Sequence, residues 1–289
     1  MQIFECIPNV SEGRDARLLD ACAAAIEAAG VRVAHRTSDP VHHRSVFTFF
    51  GERERVLAAA LALARVARDG IDLRGHRGAH PRIGALDVLP FVPFGSATPA
   101  DAAALAREAG ARIWTELGVP CFLYGGAARE GAPVLLADVR AGEFEGLCAR
   151  AGDFDAGDAA HPSAGAIAIG ARPPLIAFNV VLAGASLATA RAIARRLRER
   201  GGGLRTLRCL GLELGDGRTQ ISCNLTDAAA TPLHRVVGII DSLARARGAS
   251  VERSELIGLV PRAALQAVVA AALGCELSEV NAAGTQNPG

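Results

Sequence analysis

The stretch Gly75-His76-Arg77-Gly78-Ala79-His80-Pro81-Arg82-Ile83-Gly84 combines three glycines and a proline with four basic or titratable side chains. Its glycines and proline exclude a stable helix interior, so we predict a loop. A loop can present an imidazole into a cleft, and a histidine gains or loses a proton near neutral pH. His80 is therefore a candidate acid–base residue. The alternative is an ordinary loop histidine that is bonded to a backbone carbonyl.

A metal site is the other chemistry that this spacing allows. His76 and His80 are four residues apart, as in zinc-binding helices, and Asp72, Asp87 and the pair His42-His43 could complete a ligand set in space. The intervening residues are Arg-Gly-Ala, however, and contain no glutamate. Gly78 and Pro81 also oppose the helix that would align the two rings. We therefore predict that no metal is bound.

Two further segments are candidates for ligand binding. Asp39-Pro40-Val41-His42-His43-Arg44 precedes a strand-like run, and its alternative is a polar turn with solvated charge. Gly165 to Arg172, followed by Pro173-Pro174, consists of small and apolar residues until the arginine. Small residues let a backbone approach a flat ring closely. The alternative for this segment is an ordinary Gly/Ala loop that leads into a strand.

Composition limits the function classes. The chain has 289 residues, half of them hydrophobic and 21% charged, which favours a soluble globular protein of two domains. The net charge of +1 gives no general attraction to nucleic acid or to an anionic membrane, so neither is an expected partner. All 31 basic residues are arginines. Chemistry that needs a Schiff-base, pyridoxal-phosphate or Walker-A lysine is therefore excluded, whereas guanidinium groups suit carboxylate ligands.

Cysteine usage and the absence of a leader predict a cytoplasmic protein. The seven cysteines are scattered, never form C-x-x-C and mostly have apolar neighbours in the sequence, so we expect reduced core thiols. The run Gln2-Ile3-Phe4-Glu5-Cys6-Ile7 is typical of a strand and not of a signal peptide. The longest apolar helix candidate, Ala263 to Leu273, is too short to span a bilayer.

The elements that must position these residues follow a pattern that occurs twice. In the first half we predict a strand near 2–8, a helix ended by Gly30, strands at 31–35 and 44–50, a helix at 52–69, a strand at 85–94, a helix from Pro99 to Leu117 capped by Thr98, and a strand at 121–124. Residues 125–171 are interpreted as a connector with a short helix near 143–150. The second half is predicted to hold a strand at 175–182, a helix capped by Ser186, two strands around Gly215-Asp216-Gly217, and helices that start at Pro232 and Pro261.

This order predicts an α+β protein. We expect two subdomains of the split β-α-β (ferredoxin-like) type, with largely antiparallel sheets packed by helices. The predicted boundaries are 1–173 and 174–289.

Several of these segments, taken together and in order, resemble the glutamate formimidoyltransferase family, including the transferase half of the bifunctional formimidoyltransferase–cyclodeaminases. The similarity covers nearly the whole chain and is most specific around His80. The similar segments are Glu5 to Gly13, His76 to Val88, Leu123-Tyr124-Gly125, Arg140 to Glu145, Gly165 to Arg172, Ile176 to Asn179, Gln220 to Leu225, and Glu255 to Pro261.

In three places the sequence differs from the family pattern. Arg77 replaces the usual lysine, His43-Arg44 replaces an Asn-Arg pair, and Pro173-Pro174 removes two N–H donors.

The resemblance implies a homodimeric enzyme that moves the formimino group of N-formimidoyl-L-glutamate to tetrahydrofolate, a co-substrate, without a metal. It implies His80 as the acid–base residue, and 1–173 and 174–289 as the two transferase subdomains without the cyclodeaminase half. Arg44 and Arg82 would bind carboxylates of the substrates, and His43 would also belong to the substrate-binding site. The folate site would be lined by Gly165, Ala166, Ile167, Ala168, Ile169, Gly170, Ala171, Arg172, Pro173 and Pro174.

Three alternatives to this function remain open. One is a metal-dependent hydrolase of formimidoylglutamate. Another is a non-catalytic folate-binding paralogue. The third is a related transferase that uses formylglutamate, because formyl and formimidoyl groups differ by one isosteric atom.

Overall fold

The computed structural model describes residues 1–132, 135–150, 152–214 and 216–275, except for the side chain of Cys148. The chain divides into two compact units, Met1–Pro173 and a second unit that begins at Pro174. Gly215, in the predicted turn, and residues 276–289, at the end of the predicted second subdomain, lie outside the described residues.

The first unit contains a mixed sheet with its three long helices on one face. Its elements are β1 (Gln2–Cys6), β2 (Asn9–Val10), α1 (Ala16–Ala28), β3 (Val33–Asp39), β4 (Arg44–Gly51), α2 (Arg53–Gly70), β5 (Leu86–Gly95), α3 (Pro99–Leu117), β6 (Cys121–Gly125), α4 (Leu136–Val139), a 3₁₀ turn (Leu147–Arg150) and β7 (Ile167–Ala171). β4 pairs with β1, β2 and β3, and β1 and β2 pair with β5, all antiparallel. β5, β7 and β6 continue the sheet in parallel.

The core of the first unit follows the alternation of its strands. Phe4 and Cys6 of β1 and Phe47 and Phe49 of β4 have no exposed surface and pack with the apolar faces of α1, α2 and α3. The residues between them in each strand point to the opposite face of the sheet. α3 begins as predicted, because Thr98 and Asp101 form a reciprocal capping box and Pro99 occupies the first turn.

The second unit is a complete split β-α-β fold. It comprises β8 (Ile176–Ala183), α5 (Leu187–Leu197), a 3₁₀ turn (Glu199–Gly201), β9 (Leu207–Glu213), β10 (Thr219–Leu225), α6 (Leu233–Arg245), β11 (Ser250–Ile257) and α7 (Arg262–Leu273). The strand order is β11-β8-β10-β9, with every pair antiparallel. The first unit repeats this arrangement from β1 to β5. The α+β class with two largely antiparallel subdomains is therefore confirmed.

The structure differs from the predicted elements in three places. The connector at 125–171 ends in a buried strand, β7, and the helix expected near 143–150 is only the turn Leu147–Arg150. The edge strand β11 was not predicted, because its charged run Glu252-Arg253-Ser254-Glu255 hides the alternation. The alternation of polar and apolar residues on β10 predicts that Gln220 faces outward, but this residue is only 2% exposed.

No helix within the described ranges is long and apolar enough to cross a membrane. The described cysteine side chains, which exclude Cys148, are free thiols, and five of these six are buried.

Candidate active site

The start of β4 and the loop before β5 bring Arg44 and His80 into contact. Arg44 Nη1 lies 2.7 Å from His80 Nε2, and His80 Nδ1 lies 2.8 Å from the carbonyl oxygen of Pro81. A guanidinium only donates hydrogen bonds, so Nε2 must be the acceptor. Nδ1 therefore carries the proton and donates it to the Pro81 carbonyl. The local chain thus fixes one neutral tautomer of His80.

The surroundings of His80 keep its ring neutral. Burial, together with the positive charges of Arg44 and Arg140, holds the pKa of His80 well below its ordinary value of 6.5. Burial and the charge of Arg140 also lower the pKa of Arg44, to about 10, so Arg44 remains cationic at neutral pH. The pair is thus a neutral base beside a permanent cation.

The two arginines at this site differ in what they contact. Arg140 forms an ion pair with Asp87, which is 1% exposed and also accepts a 2.8 Å hydrogen bond from the backbone N–H of Ile83. Arg44, in contrast, has no carboxylate within ion-pair distance among the described residues, and its one hydrogen bond there is to His80. A half-buried cation without an anion is suited to bind an anionic ligand.

A second histidine lies next to this pair. His42 Nδ1 is paired with Asp39, whose other oxygen accepts the backbone N–H groups of Val41 and His42 at 2.8 and 2.9 Å. Burial alone would raise the pKa of Asp39, but its bonds to His42 lower it to about 2. The rings of His42 and His80 meet edge to face, with centroids 6.3 Å apart. The Asp39–His42 pair thus forms one wall of the site.

His43, predicted to bind substrate, contacts His76, Gly13 and Glu12 in this structure. Its ring stacks on His76 at a centroid distance of 4.3 Å, and its Nδ1 accepts the backbone N–H of Gly13 at 3.1 Å. Glu12 Oε1 lies 3.4 Å from the same nitrogen. The backbone of His43 is left-handed (φ +51°), which turns the chain into β4. These contacts give His43 a structural role in shaping the loop before Arg44.

Arg82, the other predicted carboxylate clamp, already has carboxylate partners. Its two terminal nitrogens bind Glu145 at 2.7 and 2.9 Å, and Nη1 also lies 3.1 Å from Glu143. Its Nε donates to His76 Nδ1 at 3.3 Å. Both ends of the guanidinium fork are thus occupied within the protein. In this structure Arg82 ties the segment 143–145 to the histidine loop and does not offer a free fork to substrate.

A pocket of about 400 Å³ lies at the far end of the same loop. It is lined by His76, Arg77, Gly78, Arg82, Gly142, Glu143 and Glu145. Neither His80 nor Arg44 lines it. Arg82 is paired with both glutamates of the lining, so this pocket is distinct from the Arg44–His80 contact, which is the candidate active site.

The stretch predicted to line a flat ring is mostly inside the sheet. β7 is paired on both edges, with β5 and β6. Ile167, Ile169 and Ala171 pack in the helix-side core, while Ala166 and Ala168 pack in an apolar cluster on the other face. Residues 166–171 are all buried in this structure. The half-buried Arg172 and the exposed Pro173-Pro174 are the residues of this stretch that present side-chain surface in this structure. The assignment of the stretch to the folate site stays a prediction.

The two glycines of that stretch have structural reasons to be glycine. Gly165 has φ +70°, and a Cβ there would lie 2.1 Å from the carbonyl oxygen of Ile83. A Cβ on Gly170 would lie 2.5 Å from the ring of Tyr124.

Several partners in the site lie far away in sequence, and spacing alone gave no sign of them. Arg140 reaches Asp87 across 53 positions, and Arg82 reaches Glu145 across 63. The one available indication was that the stretch Arg140 to Glu145 resembles the family. No group of three or more His, Cys, Asp or Glu side chains in the described part of the chain is arranged to hold a metal ion.

The structure is a two-unit α+β protein whose candidate active site is a neutral histidine beside an arginine that has no carboxylate partner among the described residues. The chain matches the N-terminal subdomain of the formiminotransferase domain over residues 3–172 and the formiminotransferase domain over residues 177–273. It belongs to the formiminotransferase family.

Named relatives agree with this family. The chain is 39% identical over 271 residues to a glutamate formimidoyltransferase from Streptococcus pyogenes, covering 91% of each protein. It is 38% identical to one from Thermoplasma acidophilum, covering 92% of this chain and 90% of that protein. It is also 39% identical to the formimidoyltransferase-cyclodeaminase of Sus scrofa, covering 95% of this chain but 53% of that longer protein.

Proposed function

We propose that the protein is a glutamate formimidoyltransferase, which moves the formimino group of N-formimidoyl-L-glutamate to N5 of tetrahydrofolate and releases glutamate. Family membership and the names of its relatives support this reaction. The structural observation that carries the proposal is the contact between neutral His80 and Arg44, a cation without an anionic partner among the described residues. Histidine degradation and one-carbon metabolism are the processes that this reaction would serve.

Arg44 would bind a carboxylate of formimidoylglutamate. A guanidinium fork holds a carboxylate through two parallel hydrogen bonds, which orients as well as attracts the substrate. In the free protein one arm of this fork donates to His80 Nε2. When the fork turns to a substrate carboxylate, that nitrogen regains a free lone pair. Binding of formimidoylglutamate would thus orient this substrate and also free His80 Nε2 to act as a base.

His80 would then move one proton in two steps. N5 of tetrahydrofolate attacks the formimino carbon, which gives a tetrahedral intermediate, and Nε2 accepts the proton that N5 loses. The same proton is returned to the glutamate nitrogen, so the carbon–nitrogen bond to glutamate breaks with an amine as leaving group. The products are 5-formimidoyltetrahydrofolate and glutamate. Such acid–base catalysis typically contributes about 10²–10⁴-fold to the rate.

Tetrahydrofolate is a co-substrate in this scheme, and no covalent enzyme intermediate or metal takes part. The finer assignments that the resemblance implies, a homodimer in the cytoplasm, belong to the same proposal. Light scattering on the purified chain measures the oligomeric state directly.

An assay that follows both products tests the proposed reaction. We expect release of glutamate and formation of 5-formimidoyltetrahydrofolate in equal amounts, and only when both substrates are present. Glutamate release without tetrahydrofolate that a chelator abolishes would indicate a metal-dependent hydrolase instead. Folate binding without any turnover would indicate a non-catalytic paralogue. Faster turnover of formylglutamate would change the donor but keep the transferase class.

A further inference from the structure

Within the described ranges, Glu5 is a buried carboxylate that makes no side-chain hydrogen bond or ion pair. It lies in β1 between Phe4 and Cys6, which both point into the helix-side core, so its side chain is on the opposite face of the sheet. Only 7% of its surface is exposed. Its carboxylate forms no hydrogen bond or ion pair with any residue in the described ranges. Burial of such a group costs free energy unless donors reach it.

The other carboxylate buried in the same sheet shows how unusual this is. Asp87 of β5 accepts a backbone N–H and pairs with Arg140. Glu5 has only a longer-range interaction with Arg172. Burial raises the pKa of Glu5, and the charge of Arg172 opposes that rise without cancelling it. Because no side chain or backbone donor within the described ranges bonds to the Glu5 carboxylate, its oxygens can accept donors that a ligand brings.

The register of the sheet aligns Glu5 of β1 with Arg172, which directly follows β7, across the strand β5 that lies between them. Glu5 is opposite Val92 of β5. Phe91 of β5 is opposite Ala171 of β7, so the next residue, Arg172, lies beside Val92 on the other side. The backbones of Glu5 and Arg172 are thus separated by two strand spacings, roughly 10 Å. Arg172 also interacts with Tyr124 of β6. On this face of the sheet the carboxylate oxygens of Glu5 are therefore hydrogen-bond acceptors, and the guanidinium group of Arg172, across β5, is a hydrogen-bond donor.

We propose that Glu5 binds the 2-amino-4-oxopyrimidine ring of the folate co-substrate, through the ring N3–H and the 2-amino group. These two N–H groups are adjacent and parallel, and a carboxylate accepts both at once, as it does from an arginine fork. The 4-oxo oxygen on the same ring needs a donor, which Arg172 supplies. The inference rests on the proposed function, because it is that reaction which requires a folate site.

The variant Glu5→Gln tests this contact. It keeps the shape of the side chain but replaces one acceptor oxygen by an amide N–H₂ donor, which would face a donor on the ring. We expect the Kd of tetrahydrofolate, kept reduced and measured by equilibrium titration, to rise at least about 30-fold. The Kd of formimidoylglutamate should change less than about 3-fold. Glu54→Gln, at an exposed carboxylate on α2, is the matched control and should change neither constant.

A ligand that lacks the 2-amino group separates direct contact from a structural effect. The wild-type protein should bind 2-desamino-tetrahydrofolate much more weakly than tetrahydrofolate, whereas the Glu5→Gln variant should bind both with similar Kd values. Equal losses for this ligand in the two proteins would overturn the inference. So would an unchanged Kd for tetrahydrofolate in Glu5→Gln, or parallel losses for both substrates with a lowered Tm.

Turnover by the wild-type protein tells a missing Glu5 contact apart from a missing transferase activity. A wild-type protein that binds no tetrahydrofolate and releases no glutamate would contradict the function itself. A wild-type protein that turns over normally, with Glu5→Gln equally active and equally tight in folate binding, would leave the function in place and remove Glu5 from the folate site.

Discussion

At the scale of single residues, burial and the neighbouring Arg44 together keep His80 neutral, and the Arg44 hydrogen bond selects its tautomer. Burial is the larger cause of the low pKa of His80, and the positive charge of Arg44 adds to it. A histidine that must act as a base is active in its neutral form. A low pKa therefore keeps His80 competent down to a lower pH than an exposed histidine.

Substitution of Arg44 should separate its effect on the pKa of His80 from its binding of a substrate carboxylate. In Arg44→Gln the loss of positive charge raises the pKa of His80, although burial still keeps it below 6.5. We therefore expect the acid limb of the kcat/KM profile to move to higher pH. The KM for formimidoylglutamate should rise about 10–100-fold, because a charge-assisted hydrogen-bonding group is lost.

The variant Arg44→Lys separates the effect of the charge from the effect of the guanidinium geometry. It keeps the charge, so the acid limb should stay in place, but it loses the fork, so the KM should still rise. Arg208→Gln on the exposed side of β9 controls for a general loss of positive charge. The same pH profile for wild type and Arg44→Gln would contradict the electrostatic role of Arg44.

At the scale of elements, the sequence predicts correctly the helix starts that are specified by neighbouring capping residues. Thr98, Pro99 and Asp101 specify the start of α3, and Ser186 specifies the start of α5 through a hydrogen bond to the backbone N–H of Thr189. β7 could not be recognised in the same way. Ile167–Ala171 is rich in small residues, and what makes it a strand is its pairing with β5 and β6 on either side.

The glycine that leads into β7 gives a prediction at this scale. Gly165→Ala should lower the free energy of unfolding by at least about 1–3 kcal/mol, because the residue has φ +70° and the new Cβ would meet a backbone oxygen. Gly126→Ala is the matched control, since its Cβ would make only ordinary contacts of 3.5 Å or more. Chemical denaturation measures both variants. An unfolding free energy of Gly165→Ala equal to that of wild type would show that the loop relaxes around the methyl group.

Ligand titration of the same variant is a second readout. If Gly165 serves only the fold, both substrates should lose affinity alike. A loss of affinity for tetrahydrofolate alone would support the prediction that Gly165 lines the folate site.

At the scale of the whole molecule, the repeated strand–helix pattern was sufficient to predict two α+β subdomains, because each repeat carries its own apolar faces. The cores described for the two units share no residue. The ion pairs of the site could not be predicted, because Asp87–Arg140 and Arg82–Glu145 depend on how the connector folds back over the sheet. The position of His80 was predicted from its loop, whereas its proton state required the position of Arg44.

The proposed boundary at 173/174 can be tested with separate chains. Residues 1–173 and 174–289, each expressed alone, should unfold cooperatively on heating, since each has its own buried core. Circular dichroism at increasing temperature measures this. A fragment 1–173 that shows no thermal transition would mean that its core depends on the rest of the chain, and the boundary would then not separate independent domains.

The rate of formimino transfer by His80→Ala is the most direct test of the whole account. A single-turnover measurement with both substrates saturating isolates the chemical step from binding. We expect the rate to fall at least about 100-fold, while the Kd values of tetrahydrofolate and formimidoylglutamate and the Tm stay close to those of wild type. A His80→Ala variant that is folded, binds both substrates and retains more than about a tenth of the wild-type rate would contradict the assignment of His80 as the acid–base residue.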